Sequence, residues 1–351
     1  MAALTPVEAT LSIGERIGRY FAIVSMIPSL FLVLWVYVLV ASGSLTGAPT
    51  WQKVEVAISS WSLGKAAWVV VATLAVAVVL HPLQFVTTQL LEGYWGTSPL
   101  AIAAMKIRIV HHRKRQRDLR AQAGANRRAW IGACKDLLGV DPESDPEKDP
   151  ALMKRIGNLI KSKPGDSLML YVIAEESARS QDARNYPSDA TRILPTQLGN
   201  MLRSFEDAAG NQYGLSALTI SPHLHLIAPP RHLEYLVDAR EDMDAAIRIC
   251  TVGLIATALT AALLLTDGLW LLWATLPYAI SYLAYKGAVS AAQGYGNVVA
   301  SVIDLDRFIV YSELGVPLPR NNKQERKNNR GLMQLLNGKP TTLHYSRVKR
   351  H

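Results

Sequence analysis

Four stretches of the chain carry no Asp, Glu, Lys or Arg and consist mostly of Val, Leu, Ile and Ala: residues 20–42, 66–91, 249–266 and 268–285. A helix needs about 20 such residues to cross about 30 Å of hydrocarbon at about 1.5 Å per residue. The first two runs meet that length, and the last two stand at its short end. Only Asp267 separates the third from the fourth, so they must fold back on each other. The pattern therefore predicts two transmembrane hairpins, with spans 20–42 and 66–86 (extending to 91), then 249–266 and 268–285. The first run is too long for the apolar core of a cleaved signal peptide, and nineteen residues precede it. It reads as a signal anchor behind a cytoplasmic lead-in, 1–19.

Between the hairpins the pattern changes to helical periodicity on a polar background. Ser98-Pro99 is a helix start signal, because proline at the first helical position lacks only an amide that would be unsatisfied anyway. It predicts a helix over 99–123, followed by a shorter one over 127–138. "GVDPESDPEKDP" (139–150) then interrupts with three Asp-Pro steps, which an exposed acidic loop tolerates and a helix does not. A helix over 150–161 follows. Residues 167–174 and 215–220 read as two short strands that could pair. Between them, 193–215 reads as a helix with Leu198, Leu202, Phe205, Ala209 and Tyr213 on one face and Gly214 at its end. Residues 230–247 form an amphipathic helix running into the third span. A last cytoplasmic helix covers 287–319, and the basic tail, 320–351, shows no sustained apolar pattern.

Charge placement orients the spans. Of 351 residues, half are hydrophobic and the net charge is +9. The loop at 43–65 holds only Lys53 and Lys65, the turn at 267 holds no cation, and 92–247 holds 21 Lys or Arg. Basic residues favour the cytoplasmic side, so the middle region and both termini are expected there, in the plasma membrane. Trp51 and Trp61 suit an outer loop resting on the interface.

Candidate chemistry is sparse. No charge lies inside a span, where it would signal transport, and His81 beside Pro82 is the candidate intramembrane polar site. The cluster Arg113, Lys114, Arg115, Arg117 and Arg120 follows the second span, where cations attract anionic lipid head groups. Topology and lipid contact account for it without nucleic acid. His223, His225 and His232 have no carboxylate or cysteine at metal spacing, although His223 and His225 would share one face of a strand. The alternating acids of 139–150 place Pro146 where a calcium loop needs glycine. Cys134 and Cys250 make no pair. No phosphate loop, nucleophile elbow or HExxH occurs, so no catalytic residue, metal or cofactor is expected. On the 193–215 helix, Asn200, Arg203, Glu206 and Asp207 form the candidate functional surface.

The blocks "LLEGYWG" (90–96), "PTQLGN" (195–200), "EDAAGNQYG" (206–214), "DLDR" (304–307) and "PLP" (317–319) resemble recurring blocks of a family of uncharacterised actinobacterial multi-span (four-helix) integral membrane proteins. They are spread over most of the chain. The resemblance implies a topology and no activity. Where that family has Trp-Pro-Arg-Leu after the second strand, this chain has Ser221-Pro222-His223-Leu224.

The expected fold is mainly α: four spans and a cytoplasmic, mostly helical domain with one short strand pair. The expected role is a cytoplasmic-facing interaction, scaffold or regulatory protein, touching membrane lipids and a protein partner or a second copy of itself. A small oligomeric channel or transporter is the alternative, and a membrane-bound enzyme without a recognisable motif the third reading.

Overall fold

A computed structural model of the chain describes residues 25–138, 154, 182–343 and 345. The described chain is mainly helical and, among the described residues, holds no strand. Its helices are α1 (Ile27–Ala41), α2 (Trp51–Ser59), α3 (Leu63–Glu92), α4 (Pro99–Leu138), α5 (Gln197–Ala208), α6 (Ala217–Ile227), α7 (Pro230–Leu264), α8 (Thr275–Glu313) and α9 (Asn322–Leu336). Short 3-10 segments cover Ala190–Arg192, Asn211–Tyr213 and Gly268–Ala274. Two compact units result, one from the described parts of 1–95 and 205–351, the other from those of 96–204.

In the first unit, α3 and α7 are long and apolar enough to cross a membrane, and α1 is apolar but shorter. Local chemistry sets the limits of α3. The Ser62 hydroxyl accepts from the Lys65 amide at 3.3 Å, and Gly93 closes the helix with φ of 106°. α3 contains the whole second apolar run and passes through Pro82 unbroken. α7 joins the amphipathic segment at 230–247 to the third run without interruption, as the pattern predicts. The fourth run divides: 268–274 is 3-10, and the remainder opens α8, which continues to Glu313.

α7 and α8 are antiparallel. Gly253 meets Ser281, Arg240 lies over Tyr295, and His232 bonds Asp306, so the pairing runs in opposite chain directions. A Cβ on Gly253 would stand 2.9 Å from that of Ser281. Small residues of this kind let helix backbones approach closely where no hydrophobic force drives association. α1 and α3 pack beside α7 around Leu32, Val252 and Ala256, with Trp35 Nε1 donating to Thr260 Oγ1 at 2.8 Å. At the opposite end of the α7–α8 pair, α6 and α9 close a second core of Leu215, Ile220, Leu224, Ile303, Val310 and Leu332. Phe205 lies flat on Gly296 of α8, leaving no room for a Cβ there.

Four expectations are corrected. Residues 215–220 are not a strand: Ala217, Ile220 and Leu224 are buried at spacings of three and four, and Pro222 is accommodated within α6. The period is helical, and β-branched residues at 219 and 220 suggested otherwise. The 193–215 helix is shorter than its punctuation suggested. It starts at Gln197 behind a Thr196 hydroxyl that accepts from the Gly199 amide, and ends at Ala208. Gly210, with φ of 76°, turns the chain, and Gly214 caps only the following 3-10 turn. Residues 99–138 form one helix, since Gly124 adopts no left-handed conformation and weakens the helix by only about 1 kcal/mol. The basic tail holds α9, whose buried positions Glu325 and Asn329 are polar and so escaped a search for apolar periodicity. The lead-in at 1–19, the acidic loop at 139–150, the strand at 167–174 and nearly all of the helix at 150–161 lie outside the described residues.

Candidate functional site

The far end of the α7–α8 pair carries a polar cluster in which Asp306, Tyr311, Glu325 and Asn329 are buried. α8 supplies Asp304, Asp306, Arg307 and Tyr311; α9 supplies Glu325 and Asn329; the 3-10 turn before α6 supplies Gln212 and Tyr213. The Arg307 guanidinium lies between two rings, 4.0 Å from the Tyr213 centroid and 4.3 Å from that of Phe308. Its Nε donates to Glu325 Oε1 at 2.7 Å, and another nitrogen donates to the Asp304 carbonyl. Gln212 Nε2 donates to Asp304 Oδ1 at 3.1 Å, and Asn329 Nδ2 to the Tyr213 carbonyl at 2.9 Å. Tyr311 donates to Asn329 Oδ1, and burial together with the nearby Glu325 carboxylate pushes its hydroxyl up to about 12. The sequence blocks at 206–214 and 304–307 thus meet in space. Beside them, His232 Nδ1 stands 2.8 Å from the buried Asp306 carboxylate.

A second cluster sits where the apolar run of α7 begins. Arg248, 3% exposed, donates through one nitrogen to Ser25 Oγ and through the other to Gln84 Oε1. Asp244 lies one turn earlier on α7, within 3.4 Å of Arg240. Arg248 therefore links the start of the first run, the second half of α3 and α7 through a single planar fork.

The second unit is organised by the inward face of α4. Met105, Ile109, His112, Gln116 and Leu119 recur at three and four and are covered. Gln116 Nε2 donates to the Pro187 carbonyl at 2.8 Å, Arg120 to the same oxygen at 3.1 Å, and Arg113 Nε to the Ala190 carbonyl at 3.2 Å. His112 Nδ1 stands 3.0 Å from the Tyr186 hydroxyl. Burial, then the positive charges of Arg108, His111 and Arg115, lower the His112 pKa from 6.5 to about 4, with the Pro195 backbone acting weakly the other way. The imidazole is thus folded in its neutral form. An unfolded histidine takes up a proton below 6.5, so stability falls as pH drops from 6.5 and levels off near 4, by roughly 3 kcal/mol in all. Denaturant unfolding of wild type and H112Q across that window checks this: the wild type should lose stability relative to the variant as pH falls. Parallel curves would refute the assignment.

The expected functional residues distribute unevenly. Asn200 is fully buried and serves the backbone: it accepts from the Leu194 amide and donates to the Leu194 and Thr196 carbonyls, all within 2.8 Å. It builds the start of α5 and presents nothing outward, which corrects its place in the candidate surface. Arg203, Glu206 and Asp207 are half-buried and each has an interaction partner. The boundary between the units falls inside α5, after Ser204. His81 is exposed on α3, and the inward-turned polar residue of that turn is Gln84. Of the basic cluster, Arg113 and Arg120 are engaged by loop carbonyls, while Lys114, Arg115 and Arg117 are exposed. His223 and His225 stand two apart on a helix, so they point in nearly opposite directions. Among the described residues no group of three or more His, Cys, Asp or Glu could hold a metal. Sequence reasoning missed Arg248, Asp244, Arg307 and Glu325. A signal was present: Asp244 and Arg248 are four apart and adjoin Met243 and Ile247, the apolar face of the same helix. Comparison with protein families, with curated proteins and with solved structures finds no match to the chain.

Proposed function

We propose that the protein is a membrane-anchored scaffold or regulatory protein that crosses the plasma membrane four times and holds a rigid helical body on the cytoplasmic side. The carrying observation is the segregation of buried charge. Between Arg248 and Lys286 the α7–α8 pair is held by neutral contacts such as Ser281 Oγ to the Cys250 carbonyl at 2.9 Å. The Arg307–Glu325 ion pair and the hydrogen bond between His232 and the buried Asp306 carboxylate lie beyond that interval. An interior of this kind anchors at one end and fixes a polar shape at the other.

The dimensions agree. Arg248 to Leu264 spans about 24 Å of α-helix. The seven 3-10 residues of Gly268–Ala274 and the α8 segment to Lys286 together rise about 30 Å. Aromatic rings gather at the hairpin end: Trp273 lies 5.1 Å from both Trp51 and Trp270, and Tyr37 lies 5.3 Å from Trp61. Such rings favour the water–lipid boundary. α3 turns Trp68, Val78 and Phe85 outward, at 75%, 63% and 70% exposure.

Three measurements on the full chain test this. In intact cells, an impermeant maleimide should label T46C and spare T341C; the reverse labelling sinks the orientation. Crosslinking in native membranes should join the cytoplasmic body to a defined protein or to a second copy. Ion or solute flux in reconstituted vesicles, without any such crosslink, would overturn the scaffold reading in favour of a channel. The observation favouring that second reading is Arg248, a cation facing the bundle interior.

A further inference from the structure

The outward face of α4 differs from the face that organises its unit. Leu100, Ala103, Ile107, Val110, Lys114 and Arg117 recur at spacings of three and four and are all exposed. Leu100, Ile107 and Val110 are exposed by 85%, 70% and 64%, which is costly in water. Lys106 and Arg108 flank this apolar strip, one on each side, and the next turns add the exposed Lys114, Arg115 and Arg117. An apolar strip with cations at its margins and beyond one end is the pattern of a helix lying in a membrane interface. It fits neither a soluble surface nor a phosphodiester backbone, which offers nothing to Ile107 and Val110. Only residues 93–98 separate α4 from the end of α3, so the chain delivers this helix close to wherever α3 leaves the bilayer.

We propose that the first half of α4 docks on an anionic bilayer surface, inserting Leu100, Ile107 and Val110 among the acyl chains and setting Lys106, Arg108, Lys114 and Arg117 against lipid phosphates. This rests on the membrane reading above. Arg113 and Arg120 take no part, because they hold the 187–190 loop. The docked helix makes the second unit responsive to the charge of the inner leaflet. Each cation near the surface shifts the docked-to-undocked ratio by roughly fivefold.

The test places environment-sensitive fluorophores on I107C, on Q122C beyond the strip, and on V78C of α3, in full-length C134S protein at one copy per nanodisc. Discs contain phosphatidylcholine with increasing phosphatidylglycerol. Doxyl-lipid quenching at 107 should rise with phosphatidylglycerol and reverse with salt, while 122 stays accessible to iodide. Neutralising Lys106, Arg108, Lys114 and Arg117 together should abolish the response. If 78 is quenched but 107 stays open to iodide at every composition, docking is refuted and the membrane reading stands. If 78 is not quenched, the membrane reading itself fails. Shielding of 107 that needs added nucleic acid or a second copy, whatever the lipid, also overturns the proposal.

Discussion

E325A lowers the stability of the end of the α7–α8 pair that carries Arg307 by about 3–5 kcal/mol, the range for removing one partner from a buried ion pair. Glu325 is 3% exposed, and its loss leaves the Arg307 guanidinium between Tyr213 and Phe308 without its carboxylate. The damage should be local. Asn329 and Leu332 share the buried face of α9 with Glu325, so α9 separates first and the 317–321 linker becomes the site of fastest proteolysis. Thermal unfolding in detergent and timed proteolysis measure this. The double variant R307M/E325L should recover much of the loss, because apolar replacement of a whole buried pair is often neutral. A double-mutant cycle showing no coupling would mean that the pair is not what holds α9.

That pair shows where the sequence was legible and where it was not. The apolar runs, the Ser98-Pro99 start and the continuity of α7 depend on local chemistry, and they can be read without knowing any neighbour. α9 could not be read that way. Its inward face is Glu325, Asn329 and Leu332, two of them polar, and its burial depends on Arg307 and Tyr213, far off in the chain. The same holds for Asn200. Its side chain looks like a surface feature in a list of polar residues, yet three backbone bonds consume it. His81 and Gln84 invert the case: three apart, they are neighbours on one side of α3, and only the packing of α1 and α7 shows that Gln84 is the one that bonds Arg248 while His81 stays exposed. Polar residues with tertiary partners are thus the illegible class here, and the candidate site consists almost wholly of them.

Arg248 gives the other large effect, and its variants separate the two functional readings. R248A leaves Gln84 and Ser25 without their donor at the start of the third apolar run, at a cost of about 1–3 kcal/mol for each buried acceptor left unsatisfied. R248K should restore little of it. A lysine ammonium is a point donor and cannot reproduce a planar fork that bonds two acceptors on separate segments at once. D244L/R248M removes both charges and keeps volume, so it should assemble and melt near the wild type if the cluster only clamps the bundle. The readouts are the melting temperature and the monodisperse fraction after solubilisation. Flux through vesicles is measured on the same proteins. In a scaffold, stability orders the series and every vesicle stays silent. In a conducting protein, the well-folded D244L/R248M variant changes flux relative to wild type, because the charge itself, and not the fold that it supports, does the work. R248A that melts with the wild type would remove Arg248 from both accounts.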